Sequence, residues 1–269
     1  MALIDTLGTG VSALQSFTTG LDTVANDIAN INTTAFKGSS TSFADTFSGA
    51  GVQVAATNQN FVQGSLSTTG VSTNLGISGN GFFIVQNAAG TTQFATRDGG
   101  FTINSSGYLV NSQGYEVMGL TGGSGSSAPS TVGPIRLNQS PPSALQSVSI
   151  SSNGNVVESY ADGSEATTNQ VLLQNFVNPD LLVSQGGNLY SNLSGAAPVS
   201  GSLTLSSTSN TPGGSGLGTV ESGTLEQSNV DLTQEFASMI TMQRAFEANS
   251  RLVTVSDTIL QDIINLKQP

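Results

Sequence analysis

The sequence predicts an α+β protein in which two terminal, coiled-coil-like helices form a discontinuous domain around an inserted antiparallel all-β domain. Three observations support this fold class. Apolar residues recur with heptad spacing at both ends of the 269-residue chain. Between these ends the apolar period shortens to two residues, and glycine-containing turns separate the runs. We therefore expect a helical domain of residues 1–32 and 228–269, a linking segment of 33–72 and a β domain of 73–220.

The first predicted helix carries two apolar rows that form a seam of about four heptads. The seam residues are Leu3, Leu7, Leu14, Phe17, Leu21, Val24, Ile28 and Ile31. Gly10 interrupts one row and leaves room for another backbone to approach closely. The pattern ends in the turn-forming run from Asn30 to Thr34, which predicts the end of the helix.

The second predicted helix begins near Asp231, which with Gln234 resembles a capping box, and extends to about Leu266. Its seam residues are Leu232, Phe236, Met239, Phe246, Val253, Leu260 and Ile264. One row becomes polar in the middle, at Gln243 and Ser250, so this face should meet less apolar surfaces as well. Each seam needs a partner, and heptad spacing leaves open whether the helices pair within a chain or between chains.

The middle of the chain reads as short strands joined by tight turns. Asn153-Gly154 and Asp162-Gly163 supply the positive φ that two-residue hairpins demand. Gly/Ser-rich stretches at 121–131 and 206–218 are expected to be surface loops or linkers.

The composition argues against several classes of function. Charged residues make up only 9%, and the net charge is −11. The six basic residues are scattered, so neither nucleic acid nor an anionic membrane surface is an expected partner. No apolar run is long enough for membrane insertion, and the N-terminus lacks the pattern of a cleavable signal. The protein is thus expected to be cytosolic or to leave by a route that needs no such signal.

Catalytic and cofactor chemistry also finds no support. The chain has no Cys and no His, which removes thiolate and imidazole nucleophiles, bases and metal ligands. Residues 8–13 match the glycine pattern of a dinucleotide-binding motif, but no strand precedes them as such a site requires. Asp162 and Glu165 flank a turn and read as solvated residues. We expect no enzyme, no cofactor and no metal.

Sequence motifs across nearly the whole chain resemble the bacterial flagellar axial family, which contains rod, hook and hook-associated proteins. The N-terminal motif ends the first helix and continues to Lys37, with Asp27 and Ala35 standing where the family usually has Asn and Gly. The segments 74–85, 96–101, 107–110, 176–179 and 187–190 are similar to the family's β region, and 223–232 and 239–246 to its C-terminal motif. Family-motif residues in this sequence are Asn26, Asn30, Thr33, Phe36, Lys37, Ser228, Asn229, Gln243 and Arg244.

The resemblance implies a structural subunit that polymerises with itself into a hollow helical tube, with the helices as the inner layer and the β domain as the outer one. It also implies export by the flagellar type III apparatus, a location outside the inner membrane, and contacts with rod, hook-cap and hook–filament junction proteins. On the resemblance of the segment 42–47 we expect the hook protein, which transmits motor torque to the filament. The alternative is the distal rod protein, a straight drive shaft, which the chain length suits. A secreted adhesive or carbohydrate-binding β protein is the remaining alternative, which the absence of Trp disfavours.

Overall fold

A computed structural model describes residues 2–46, 51–122, 129–137, 143–200, 202, 205–206 and 209–266, with side chains from residue 6 onward. The chain divides into two compact units. The helical unit comprises residues 1–32, 37–62 and 230–269, and the β unit comprises 33–36 and 63–229. Terminal helices and an inserted antiparallel β region confirm the predicted fold class.

The helical unit consists of two long helices and one hairpin. They are α1 (Ala2–Ala29), β1 (Ser39–Asp45), β2 (Val52–Gln59) and α2 (Leu232–Leu266). Asp231 caps α2, since its side chain accepts the backbone N–H of Thr233 at 2.8 Å and that of Gln234 at 3.3 Å. In the described residues, neither helix is long and apolar enough to cross a membrane.

The β unit is built from short strands, most of them in one large antiparallel sheet. The strands are β3 (Leu66–Thr68), β4 (Leu75–Ser78), β5 (Phe82–Gln86), β6 (Gln93–Thr96), β7 (Thr102–Ile103), β8 (Leu109–Val110), β9 (Glu116–Thr121), β10 (Thr131–Pro134), β11 (Leu145–Ile150), β12 (Asn155–Tyr160), β13 (Glu165–Val171), β14 (Leu173–Gln174), β15 (Val183–Gly186), β16 (Leu189–Ser191), β17 (Thr219–Ser222) and β18 (Thr224–Glu226). A single 3₁₀ turn in the described residues spans Pro179–Leu181. The main path of the sheet runs β11-β12-β13-β9-β5-β6-β16-β15.

The core of the β unit is apolar and fully enclosed around β5 and β9. Phe83, Val85, Phe101 and Val117 each have no exposed surface. The rings of Phe83 and Phe101 meet edge to face with centroids 5.2 Å apart. Gly154 and Gly163 have φ of +83° and +80°, which confirms the hairpin turns expected from the Asn-Gly and Asp-Gly pairs.

The linking segment 33–72 is divided between the two units. Residues 37–62 form the β1–β2 hairpin of the helical unit, while β3 pairs with β18 and β4 pairs with β17 in the β unit. The bounds of the two units therefore differ from the expected ones. Strands β3 and β4 belong to the β unit because they pair with β18 and β17, the last strands before α2. Heptad and alternation patterns carry no signal for such long-range pairing.

Candidate assembly surface

The two terminal helices pack antiparallel to each other within one chain. A Cβ atom built on Gly10 would lie 2.8 Å from Cγ2 of Val253, and one on Gly20 would lie 3.0 Å from Sδ of Met242. Residues later in α1 therefore contact residues earlier in α2, as in an antiparallel pair. The space at Gly10 admits a neighbouring side chain, which explains why this seam position has no side chain of its own.

The face of α2 that meets α1 combines the apolar side chains of Met242, Leu252 and Val253 with small or polar ones. Buried or half-buried positions along it include Ser238, Met242, Ala245, Asn249 and Ser256. The small and polar members carry little apolar signal, so hydropathy alone marks only part of the face. Their only sequence signal is heptad recurrence of small or adaptable side chains, which lets the helix axes approach closely.

The predicted α2 seam is divided by this packing. Met239, Val253 and Leu260 are half-buried. By contrast, Leu232, Phe236, Phe246 and Ile264 keep 41–61% of their surface exposed. The structure therefore brings only part of the predicted seam against α1 and leaves the rest open.

The predicted α1 seam lies between α2 and the hairpin. Val24 is buried, Leu3 has a side chain outside the described residues, and the other seam residues are half-buried: Leu7, Leu14, Phe17, Leu21, Ile28 and Ile31. The rings of Phe17 and Phe43 of β1 pack at a tilt of 58° with centroids 5.6 Å apart. The Ser16 hydroxyl donates to the Val52 carbonyl of β2 at 2.9 Å. The hairpin thus covers part of α1, a role that the sequence motifs did not suggest.

Beyond the α1 contact, α2 presents an outward apolar stripe. Its exposed members are Phe236, Ile240, Val255, Ile259 and Ile263, each 42–58% exposed, whereas the Leu252 side chain lies against Gly10 of α1. Exposed apolar side chains along a long helix are typical of a protein–protein contact surface.

The N-terminal motif residues connect the end of α1 to the following turn. The Asn30 amide donates to the Asn26 carbonyl at 2.9 Å. Ala35 adopts φ of +56°, the left-handed region that glycine occupies without strain. Lys37 is 1% exposed and donates from Nζ to the Val62 carbonyl at 2.8 Å. Thr33 is exposed and Phe36 is half-buried.

The C-terminal motif residues lie in two environments. Ser228 and Asn229 are half-buried, and the Asn229 N–H donates to the Phe36 carbonyl at 3.4 Å. Gln243 and Arg244 are exposed on α2. Nη1 of Arg244 lies 3.1 Å from Oε2 of Glu247 on the next turn. A surface pair of this kind contributes little to stability.

A buried ion pair in the β unit escaped sequence reasoning. Arg97 and Glu226 are 4% and 1% exposed, and Nη1 of Arg97 lies 3.5 Å from Oε2 of Glu226. The guanidinium also sits 5.1 Å from the ring centroid of Phe82. Burial lowers the pKa of Arg97, and the Glu226 charge opposes that shift. Oε1 of Glu226 accepts the Gly64 N–H at 2.8 Å, so one carboxylate links three chain segments.

A second buried carboxylate lies at the end of α1. Asp27 is 1% exposed, and its Oδ2 accepts the Ser39 N–H at 2.8 Å. Its Oδ1 has no hydrogen-bond partner. Burial raises the pKa of Asp27, and the hydrogen bond from Ser39 lowers it by less. Burial also raises the pKa of Glu235 on α2, and the charges of Asp27 and Asp231 raise it further.

Replacing Asp27 by Asn is expected to stabilise the folded chain near neutral pH by about 1 kcal/mol, because the amide oxygen still accepts from Ser39 while the buried charge is gone. The pKa of Asp27 is raised above 3.8, so the folded chain holds this proton more tightly than the unfolded chain. The wild-type carboxylate therefore costs stability above the raised pKa, and the cost disappears as the pH falls toward 3.8.

Urea unfolding of the two proteins across this pH range measures the effect. The difference should shrink toward zero at the acidic end. Asp22→Asn, an exposed change on the same helix, serves as the control and should leave stability unchanged. Equal stability of wild type and D27N at neutral pH would contradict the expected destabilisation by Asp27.

Three protein families match successive parts of the chain. The flagella basal body rod protein family matches residues 7–37, the flagellar hook protein FlgE/F/G D1 domain matches 76–158, and the flagellar basal body rod FlgEFG protein C-terminal family matches 221–266. The first match covers most of α1, the last covers α2, and the middle one covers much of the large sheet.

Individual relatives separate into full-length and partial matches. The flagellar basal-body rod protein FlgG of Bacillus subtilis is 36% identical over 99% of this chain and 100% of its own length. The protein of the same name from Borreliella burgdorferi is 30% identical over 97% and 98%. The flagellar hook protein FlgE of Salmonella typhimurium is 36% identical, but over 47% of this chain and 29% of its own length. Full-length similarity thus favours rod proteins over the hook protein that the segment 42–47 favoured.

Proposed function

This chain belongs to the family of flagellar basal-body rod and hook proteins, and on that premise we propose that it is the distal rod subunit of the basal body. The family is structural and not enzymatic, and its members polymerise with one another. The observation that carries the choice of rod is the end-to-end alignment with rod proteins, against a partial alignment with hook proteins. The rod would act as a straight drive shaft.

The helical unit supplies the features that such a polymer requires. A filament forms when subunits join through unlike surfaces that do not close into a ring. Since α1 covers only one face of α2, the outward stripe around Ile240 and Val255 remains available for neighbouring copies. We place the helices in the inner layer of the polymer and the β unit in its outer layer. The half-buried seam residues would be enclosed further on assembly.

Further expectations follow from the same proposal. The chain would be exported through the flagellar apparatus and assembled outside the inner membrane. Its neighbours would be other rod proteins and the first hook subunits, with hook-cap and hook–filament junction proteins more distant along the same axis. The candidate that comes second is a short hook protein, which the partial hook matches favour.

Electron microscopy of the purified, polymerised chain distinguishes the two candidates. We expect straight, short polymers, because a drive shaft must transmit torque without bending. The B. subtilis rod protein, which aligns over its whole length, is the matched reference. A curved tube under the same conditions would assign the chain to the hook instead.

A further inference from the structure

An open apolar groove lies in the helical unit, beside the first third of α2. The rings of Phe17 and Phe43 and the side chain of Met242 line it, and its volume is about 380 Å³. Clefts of about 300–1,000 Å³ accept drug-sized groups, so this one has room for side chains of a partner. Its exposed lining residues are Gln234, Ala237 and Thr241.

The groove leaves an aromatic side chain partly open to solvent. Phe43 packs against Phe17 with ring centroids 5.6 Å apart, yet it keeps 36% of its surface exposed. Apolar surface of this kind gains free energy when it is removed from water. A partner that fills the groove with apolar atoms would therefore be stabilised by the two rings.

A matching apolar ridge lies on another side of the same part of α2. The ridge consists of Leu232, Phe236 and Ile240, which are 41%, 47% and 58% exposed. Their spacing of four residues places them in one row, and such rows pack into the grooves of neighbouring helices. The ridge spans about 12 Å, and the α2 wall of the groove, from Gln234 to Ala245, spans about 16 Å at the same level of the helix.

Ridge and groove cannot meet within one chain, because they lie on different sides of one helix. Phe236 and Thr241 are five residues apart, which is 500°, or about 140° around the axis. A contact between two unlike surfaces does not close between two copies and repeats with each added copy. Because 140° is less than 180°, parallel helices joined in this way turn by about 40° at each step, and a row of copies therefore curves.

The net charge of the chain favours an uncharged contact between copies. Each copy carries a net charge of −11, so acidic surfaces of two copies repel each other. No charged residue is among the described residues that form the ridge or line the groove. These two surfaces can therefore approach without placing like charges against each other.

We propose that the ridge of one copy docks into the groove of a second copy that lies beside it. This inference rests on the proposed polymerisation and names the two surfaces that join neighbouring copies. Phe236 would reach the rings of Phe17 and Phe43, where aromatic pairs add to the free energy gained by burying apolar surface. The occupant is a second copy because family members polymerise with one another and the ridge matches the groove in length and in lack of charge.

Introduced cysteines test the contact directly, since the chain contains no Cys of its own. Ile240→Cys lies on the ridge and Thr241→Cys in the groove, so a copolymer of the two variants should form disulfide-linked dimers on mild oxidation. Polymers of either variant alone should form none, because equal positions do not meet in this contact. The control mixes Thr241→Cys with Ile259→Cys, about 27 Å further along α2, and it should give no dimer on a non-reducing gel.

The critical concentration for polymerisation tests the aromatic anchor. Phe236→Ala should raise it about tenfold, because buried aromatic side chains carry much of the binding energy of an interface. Val71→Ala removes a similarly exposed apolar side chain from the β unit and should leave the value within about twofold of the wild type. Sedimentation at several protein concentrations gives these values, and circular dichroism confirms that the variants keep their helices.

The results separate this contact from the proposed function. Polymerisation of F236A at the wild-type critical concentration, or a copolymer of I240C and T241C without mixed disulfides, would overturn the docking of ridge into groove. A wild-type chain that forms no polymer would contradict both proposals. Polymer shape tests the rod assignment separately, since the contact could fail while the wild-type polymer is straight.

Discussion

Replacing Arg97 by methionine is expected to lower the free energy of unfolding of the β unit by about 3–5 kcal/mol. Methionine fills much of the arginine's space, but it removes the guanidinium that lies beside the buried carboxylate of Glu226. That carboxylate is 1% exposed and must still accept the Gly64 N–H. A loss of this size is a large share of the stability of a typical domain.

Urea unfolding followed by circular dichroism measures the loss, and Arg136→Met is the matched control. Arg136 also stacks on an aromatic ring, at 4.8 Å from the centroid of Tyr108, but it is more exposed than Arg97. Its replacement should cost no more than about 1 kcal/mol. The double variant R97M/E226Q should be more stable than R97M alone, since it also removes the buried negative charge that Arg97 neighboured. Equal losses for the two single arginine variants would count against a special role for the buried pair.

Replacing Gly99 by alanine is the second change with a large expected effect. A Cβ at this position would overlap the carbonyl oxygen of Leu75. Because the struck atom belongs to the backbone, no side-chain rotation relieves the clash. The two segments are also held together, since the Leu75 N–H donates to the Gly99 carbonyl at 3.0 Å. We expect a loss of about 3 kcal/mol or more, at the upper end of the cost of overpacking.

The neighbouring glycine is the control for this prediction. A Cβ on Gly100 would come no closer than 3.2 Å to Oδ1 of Asp98, which belongs to a side chain. Gly100→Ala should therefore cost clearly less than Gly99→Ala in the same denaturation experiment. If both variants unfold at the same urea concentration, the close approach of backbone at Gly99 does not limit stability.

Local sequence patterns were sufficient for the secondary structure at the chain ends and for several turns. The Asp231 cap and the glycine turns at Gly154 and Gly163 appear as expected. These features depend on a few neighbouring residues, whose backbone preferences act wherever the segment lies. Local patterns did not separate rod from hook proteins. Short motifs are shared across the family, and the two kinds of protein differ in how much of the chain aligns with them.

The packing face of α2 could be read only in part from hydropathy. The seam favoured by large apolar residues includes Val253, which meets α1, but also Phe236 and Phe246, which stay exposed, whereas Ser256 is buried. Close helix packing selects small side chains, and the apolar residues left outside become available for contact with other copies. A sequence pattern shows that a helix has an apolar stripe but does not show which partner covers it.

By itself, the sequence determined an α+β chain with long terminal helices, tight β turns, and no Cys or His chemistry. These properties follow from composition and from periodicity within short segments. Only the tertiary structure decided that α1 and α2 pair within one chain, that the β1–β2 hairpin covers α1, and that Arg97 meets Glu226. Each of these depends on residues far apart in the chain, whose contact is set by the packing of whole elements, and local preferences carry no information about that packing.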